Sequence, residues 1–139
     1  MLISTMRKLI IEPSSSTPRV VLDPSSNRFE ISGESRPPDV ADFYGEILKW
    51  LNDYESYSLK MPEPSLEQFI VDLDFEYFNS SSAKYILDFC KKISGMHARG
   101  AKVGIRWFYE KGDSDMLEVG QVMSKTVKLP FEFMRKDPL

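Results

Sequence analysis

The run Phe69-Ile70-Val71-Asp72-Leu73-Asp74-Phe75-Glu76-Tyr77 decides the fold, together with Phe78-Asn79-Ser80-Ser81-Ser82-Ala83 and Lys102-Val103-Gly104-Ile105-Arg106-Trp107-Phe108-Tyr109-Glu110 that follow it. From Phe69 to Tyr77 the apolar residues Phe69, Val71, Leu73, Phe75 and Tyr77 alternate with Asp72, Asp74 and Glu76. A period of two is that of a strand covered on one side only. The helical spacing of Ala83, Ile86, Leu87, Cys90 and Ile93 predicts a helix from Ser80 to about Met96, closed by Gly100. Val103, Ile105, Trp107 and Tyr109 then alternate against Lys102 and Arg106. Strand, helix and strand in this order make a βαβ unit with a right-handed crossover and two parallel strands.

Outward from this unit, Lys8–Ile11, Arg19–Leu22 and Arg28–Ser32 read as short strands. Turn-forming runs separate them, and Asp23-Pro24-Ser25-Ser26-Asn27 predicts a hairpin. Asp39, after Pro37-Pro38, is placed to cap a helix from about Val40 to Tyr57. That helix gathers Phe43, Tyr44, Ile47, Leu48, Leu51 and Tyr54 on one arc, with Asp42, Glu46, Lys49 and Asp53 opposite. Trp50 and Tyr57 fall at the edge of the arc, where core packing is the commoner fate of a large ring and a partner contact the alternative. Pro62-Glu63-Pro64 breaks the chain before the decisive strand, and a helix from about Ser114 to Lys125 and a strand near Phe131 to Met134 follow it. The order β-β-β-α-β-α-β-α-β, with one-sided strands, predicts an α/β fold: a mixed β-sheet with helices packed mainly on one face.

The 139 residues are expected to form a single domain with its core from about 8 to 134. Lys+Arg 18 against Asp+Glu 21 gives a net charge of −3, which is unsuited to gripping a nucleic-acid backbone. One cysteine, Cys90, excludes an internal disulfide, and one histidine, His97, excludes a multi-histidine metal centre. The chain shows neither a bilayer-length apolar run nor a leader pattern between Met1 and Ile11, so a cytoplasmic location without membrane insertion is expected. No glycine-rich phosphate loop is present, and no cofactor is expected.

Asp72, Asp74 and Glu76 lie at the strand repeat of about 6–7 Å, wide for a single ion. A small Mg²⁺-dependent hydrolase built on Asp72 and Asp74 is therefore an alternative. The favoured reading is opposite charge across neighbouring strands, with Lys102 and Arg106 facing these acids. Cys90, on the apolar stripe of its helix, reads as a small hydrophobe. The sharper feature is Asn79-Ser80-Ser81-Ser82, where at least one side chain should cap the helix. A serine at a strand-to-helix junction is also held at a rigid exposed edge, and a phosphate there would be stabilised by the helix amides. Ser80 and Ser81 both sit in the first turn, and local pattern alone does not separate them.

Thr17-Pro18, Gly33-Glu34-Ser35-x-Pro37, the Phe43-Tyr44 to Trp50-Leu51 helix, Glu76 through Lys84, Trp107-x-Tyr109, Asp115-Met116-x-Glu118-x-Gly120 and Pro130-Phe131 occur in order from about residue 8 to 133. Together they resemble the SiaC family of bacterial regulatory phosphoproteins. The resemblance implies a fold like the STAS domains of anti-sigma-factor antagonists and a non-enzymatic, partner-switching function in cyclic di-GMP signalling. It further implies a dedicated protein kinase and a PP2C-type phosphatase, and a diguanylate cyclase as the client bound and activated by the unmodified form. The residue after the motif asparagine, Ser80, takes the place of the family phosphoacceptor, usually threonine, with Ser81 as the alternative. Asn79, Ser81, Trp50 and Tyr57 are the candidate partner contacts. Arg36-Pro37-Pro38-Asp39 departs from the family's Tyr-Pro-Glu-Asn, a difference that bears on which client is bound. An anti-sigma-factor antagonist that binds a serine kinase is the alternative within regulation.

Overall fold

A computed structural model describes residues 7–60 and 68–137. The break at Pro62-Glu63-Pro64 and the first six residues of the amino-terminal segment lie outside the described residues. The elements are β1 (Leu9–Ile11), β2 (Arg19–Asp23), β3 (Arg28–Ser35), α1 (Val40–Leu59), β4 (Gln68–Phe78), α2 (Ser80–Ala98), β5 (Lys102–Glu110), α3 (Ser114–Val127) and β6 (Glu132–Lys136). This is the predicted order, with α1, α2 and α3 each two residues longer than the periodicity suggested and β6 displaced by one residue at its start.

The six strands form one sheet in sequence order, β1-β2-β3-β4-β5-β6. The first two pairings are antiparallel and the other three parallel. Each parallel pair is joined by one helix and moves one strand along in the same direction, so right-handed crossovers bring all three helices to one face. The β2–β3 hairpin turns at Asp23, whose carboxylate accepts from the backbone N–H and hydroxyl of Ser25 and the hydroxyl of Ser26. These donors hold the Asp23 carboxyl below the usual carboxylate range.

Asp39 caps α1 by accepting the Asp42 amide at 3.0 Å. The arc buries Tyr44, Ile47, Leu51 and Tyr54 against the sheet. Phe29 of β3 stacks on Phe69 of β4 at 4.2 Å between centroids and meets Trp50 and Tyr54 edge-on or tilted. At the other end Trp107 of β5 is fully buried, packs against Phe75, Phe78 and Phe131, and donates its indole N–H to the Met116 carbonyl at 3.0 Å. Helix α3 lies close on this ring because Gly120 has no side chain; a β-carbon there would stand 2.5 Å from the indole.

One expectation is corrected. Tyr77 is not in the core but 49% exposed, and Phe78 packs inward instead. The cause is a bulge: Gly33 pairs with Phe75 and Glu34 with Tyr77, leaving Glu76 as an extra residue. One inserted residue moves every later side chain to the opposite face. Gly33 meets the irregularity at φ +112°, which a side chain would oppose. Trp50 takes the core-packed fate: it is only 6% exposed, stacks on Tyr54 and donates its indole N–H to the Arg7 carbonyl at 2.6 Å. The edge of the helix arc at Trp50 is covered by residues distant in sequence.

Candidate phosphorylation and partner-binding site

β3 and β4 end side by side, and their ends are tied together at the start of α2. The Asn79 amide donates to the Ser35 carbonyl at 3.1 Å, and the Asn79 side chain accepts the Ser82 amide at 2.9 Å, capping α2. Ser82 is buried; its hydroxyl donates to the same Ser35 carbonyl at 3.1 Å. The Ser35 hydroxyl donates to Ser82 Oγ at 2.9 Å and lies 2.6 Å from the Tyr44 hydroxyl of α1. Burial pushes the Tyr44 phenol up to about 12, so it is neutral at physiological pH and holds its bond as a hydroxyl. This chain of hydroxyls fastens β3, α1 and α2 to one another beneath the junction.

Above that frame Ser80 and Ser81 are exposed, and among the described residues no hydrogen bond engages either hydroxyl. The three serines of the run thus divide into one internal fastener, Ser82, and two free hydroxyls on a rigid base. Such a hydroxyl is a chemically ordinary alcohol, accessible to a phosphoryl donor, and its modification adds roughly −1.5 to −2 charge without disturbing the core.

Ser35, Tyr44 and Ser82 are the site residues that pattern reasoning missed. Ser82 carried a signal, since it lies four residues before Ile86, seven before Phe89 and eleven before Ile93, on the stripe buried by α2. Ser35 and Tyr44 carried none, because their partners are contributed by other elements.

The structure gathers Asn79, Ser80 and Ser81 but does not bring Trp50 and Tyr57 to them. Trp50 sits over Phe29, near the start of β3, whereas Ser80 follows the end of β4. Phe69 and Phe78 mark the two ends of β4, about 30 Å apart at the rise of a strand. Tyr57, half-buried, lies farther still along α1.

The acidic strand face is charge-paired. Arg106 donates to both carboxylate oxygens of Asp72 at 2.6 and 2.8 Å across paired strands, and Lys136 of β6 reaches Asp74 at 2.5 Å. Opposite charges therefore account for Asp72 as expected, while the partner of Asp74 comes from β6 rather than β5. Neither carboxylate is left open for a metal, and among the described residues no group of three metal-ligating side chains forms. Cys90 is fully buried and its thiol is pushed up by that burial, in keeping with a hydrophobic role. His97 lies exposed in the last turn of α2. No described helix is long and apolar enough to cross a membrane.

Comparison with known proteins agrees with this geometry. The chain is 26% identical over 132 residues to an uncharacterized protein of Pseudomonas aeruginosa, with 95% of this chain and 99% of that one covered. The crystal structure of apo-SiaC from the same organism superposes with a TM-score of 0.77 at 24% identity, over 93% of this chain and 99% of that one. SiaC as the activator in complex with the diguanylate cyclase SiaD gives 0.79 at 23% identity, over 92% and 99%. These likenesses establish the fold, a six-stranded mixed sheet with three helices. The sequence model for SiaC family regulatory phosphoproteins matches residues 11–136, nearly the whole chain. This chain therefore belongs to the SiaC family of regulatory phosphoproteins.

Proposed function

We propose that this protein is a non-enzymatic switch that binds and activates a client when Ser80 is unmodified and releases it when Ser80 is phosphorylated. The observation that carries the reading is the exposed, unengaged Ser80 hydroxyl on a junction braced by Ser35, Tyr44 and Ser82. A rigid base makes the added charge act on the surface presented to a partner rather than on the fold. The proposed client is a diguanylate cyclase, by analogy with SiaD in its complex with SiaC. A protein kinase and a PP2C-type phosphatase would set the state of Ser80 in the cytoplasm. Asn79 and Ser81 flank the acceptor and belong to the contact surface, with Ser81 as the alternative acceptor.

The test is an affinity pull-down from host lysate with the wild-type chain, Ser80→Ala and Ser80→Asp as baits, bound proteins being identified by mass spectrometry. The expected result is one cyclase retained by wild type and Ser80→Ala and lost with Ser80→Asp. Equal recovery by all three baits, and by the corresponding Ser81 variants, overturns the switch.

A further inference from the structure

The sheet ends at β6, and among the described residues no strand pairs with the outer side of Glu132–Lys136. The Lys136 carbonyl accepts the Lys111 amide at 2.9 Å, which turns the backbone groups of Lys136 toward β5. Successive residues of a strand turn their N–H and C=O groups to alternate sides. Glu132 and Met134 therefore face β5 as well, and the N–H and C=O groups of Phe133 and Arg135 face outward. Neither a proline nor a bulge interrupts this strand, two of the devices that usually close a sheet edge. The opposite edge, β1, offers three residues where β6 offers five.

The order of charges along β6 selects the occupant. Charged side chains on an edge repel an unmatched strand, and β6 carries Glu132, Arg135 and Lys136. Against an antiparallel second copy with Met134 opposite Met134, the same charges become complementary. Glu132 of each copy lies opposite Lys136 of the other, and Phe133 lies opposite Arg135. An opposite-charge pair and a guanidinium beside a ring both favour such a contact. Phe133 and Arg135 then form the hydrogen-bonded pairs, so that every outward N–H and C=O of the two residues finds a partner. The neighbouring registers that keep outward groups in step are poorer. Shifting the axis one residue on sets Arg135 against Arg135. Shifting it one residue back sets Arg135 against Phe131, whose N–H is already donated to the Ser124 hydroxyl at 3.0 Å.

We propose that the protein self-associates through β6, two copies joining edge to edge about a two-fold axis at Met134. Residues opposite one another in an antiparallel pair share a face, so the axis stands perpendicular to the sheet. The two sheets continue as one, with the helices of both copies on the same side. The parallel strands of the two copies run in opposite directions, and Ser80 follows the end of β4. The two Ser80 junctions therefore lie at opposite ends of the joined sheet, and the pairing leaves both of them free. A contact along one short strand is smaller than a permanent interface, so the association depends on concentration.

The experiment is sedimentation velocity of the full chain from micromolar to near-millimolar concentration. The expected mass rises with concentration from that of one chain toward that of two. Arg135→Pro removes an outward N–H and no bond to β5, and should leave a folded monomer with the melting temperature of the wild type. Glu132→Lys and Lys136→Glu should each weaken association about tenfold, and an equimolar mixture of the two should restore it, a recovery that misfolding cannot produce. The register is read by mild oxidation, for which the buried Cys90 leaves an introduced thiol as the accessible one. Met134→Cys, on the axis, should give a disulfide-linked dimer, because opposed residues of a non-hydrogen-bonded pair stand about 4.5 Å apart between Cα atoms. Glu132→Cys, opposite Lys136, should not. A monomer at every concentration overturns the proposal. So does a dimer that persists in Arg135→Pro, that links equally at both cysteine positions, or whose charge variants fail to recover on mixing.

Discussion

Tyr44 and Trp50 lie six positions apart on α1 and behave differently under substitution. Tyr44→Phe removes the outer bond of the hydroxyl chain while keeping the ring stacked on Tyr85. Its expected cost is about 1 kcal/mol, read from denaturant unfolding. The same variant tests the titration. Because burial raises the Tyr44 phenol from 10.0 to about 12, the folded state favours the neutral form. Its contribution is complete below pH 10 and is lost as pH rises toward 12, so the wild type should lose stability across that window more steeply than Tyr44→Phe. Trp50→Ala, in contrast, empties a buried site and should cost about 3–5 kcal/mol. Client affinity at low temperature should stay unchanged, since Trp50 lies at the far end of the sheet from Ser80. A fall in affinity without a fall in stability would return Trp50 to the contact surface.

The informative elements are α2 and α3. Asn79 caps α2 through its side chain, and Asn79→Ala should destabilise the domain by about 1 kcal/mol. It also frees the junction that holds Ser80, so the rate of phosphorylation should change along with stability. Gly120 sets the distance of α3 from the sheet. Gly120→Ala drives a methyl group into the Trp107 indole, a rigid and fully buried ring, and should cost about 1–3 kcal/mol by denaturant titration. The pairing of Asp72 with Arg106 is different in kind, because both side chains are about a third exposed. Asp72→Asn should change stability by less than about 1 kcal/mol and more weakly still at high salt.

At the scale of the whole molecule, one sheet face is covered by three helices and the other holds a ladder of paired charges. Ser80→Asp places a negative charge at the first turn of α2, which favours the helix. The variant should therefore melt at or slightly above the wild-type temperature, and its loss of client is then a surface effect rather than unfolding. Element order, the βαβ unit, the hairpin at Asp23 and the caps at Asp39 and Asn79 were legible in the residues, because periodicity and capping are local properties of a chain. The partnership of Asp72 with Arg106 was legible too, since parallel pairing of two alternating strands brings their polar faces together. The inward turn of Phe78 was not, because it depends on a bulge set by the register with β3. The bond of the Trp50 indole to Arg7 and the bonds of Ser35 to Ser82, 47 residues away, were equally out of reach. The amino-acid sequence by itself determined the period of each helix and strand, and with it the order of elements and the serine-bearing junction after β4. Only the tertiary structure decided what covers each of those side chains, because burial and hydrogen bonding are set by neighbours whose distance along the chain leaves no local trace.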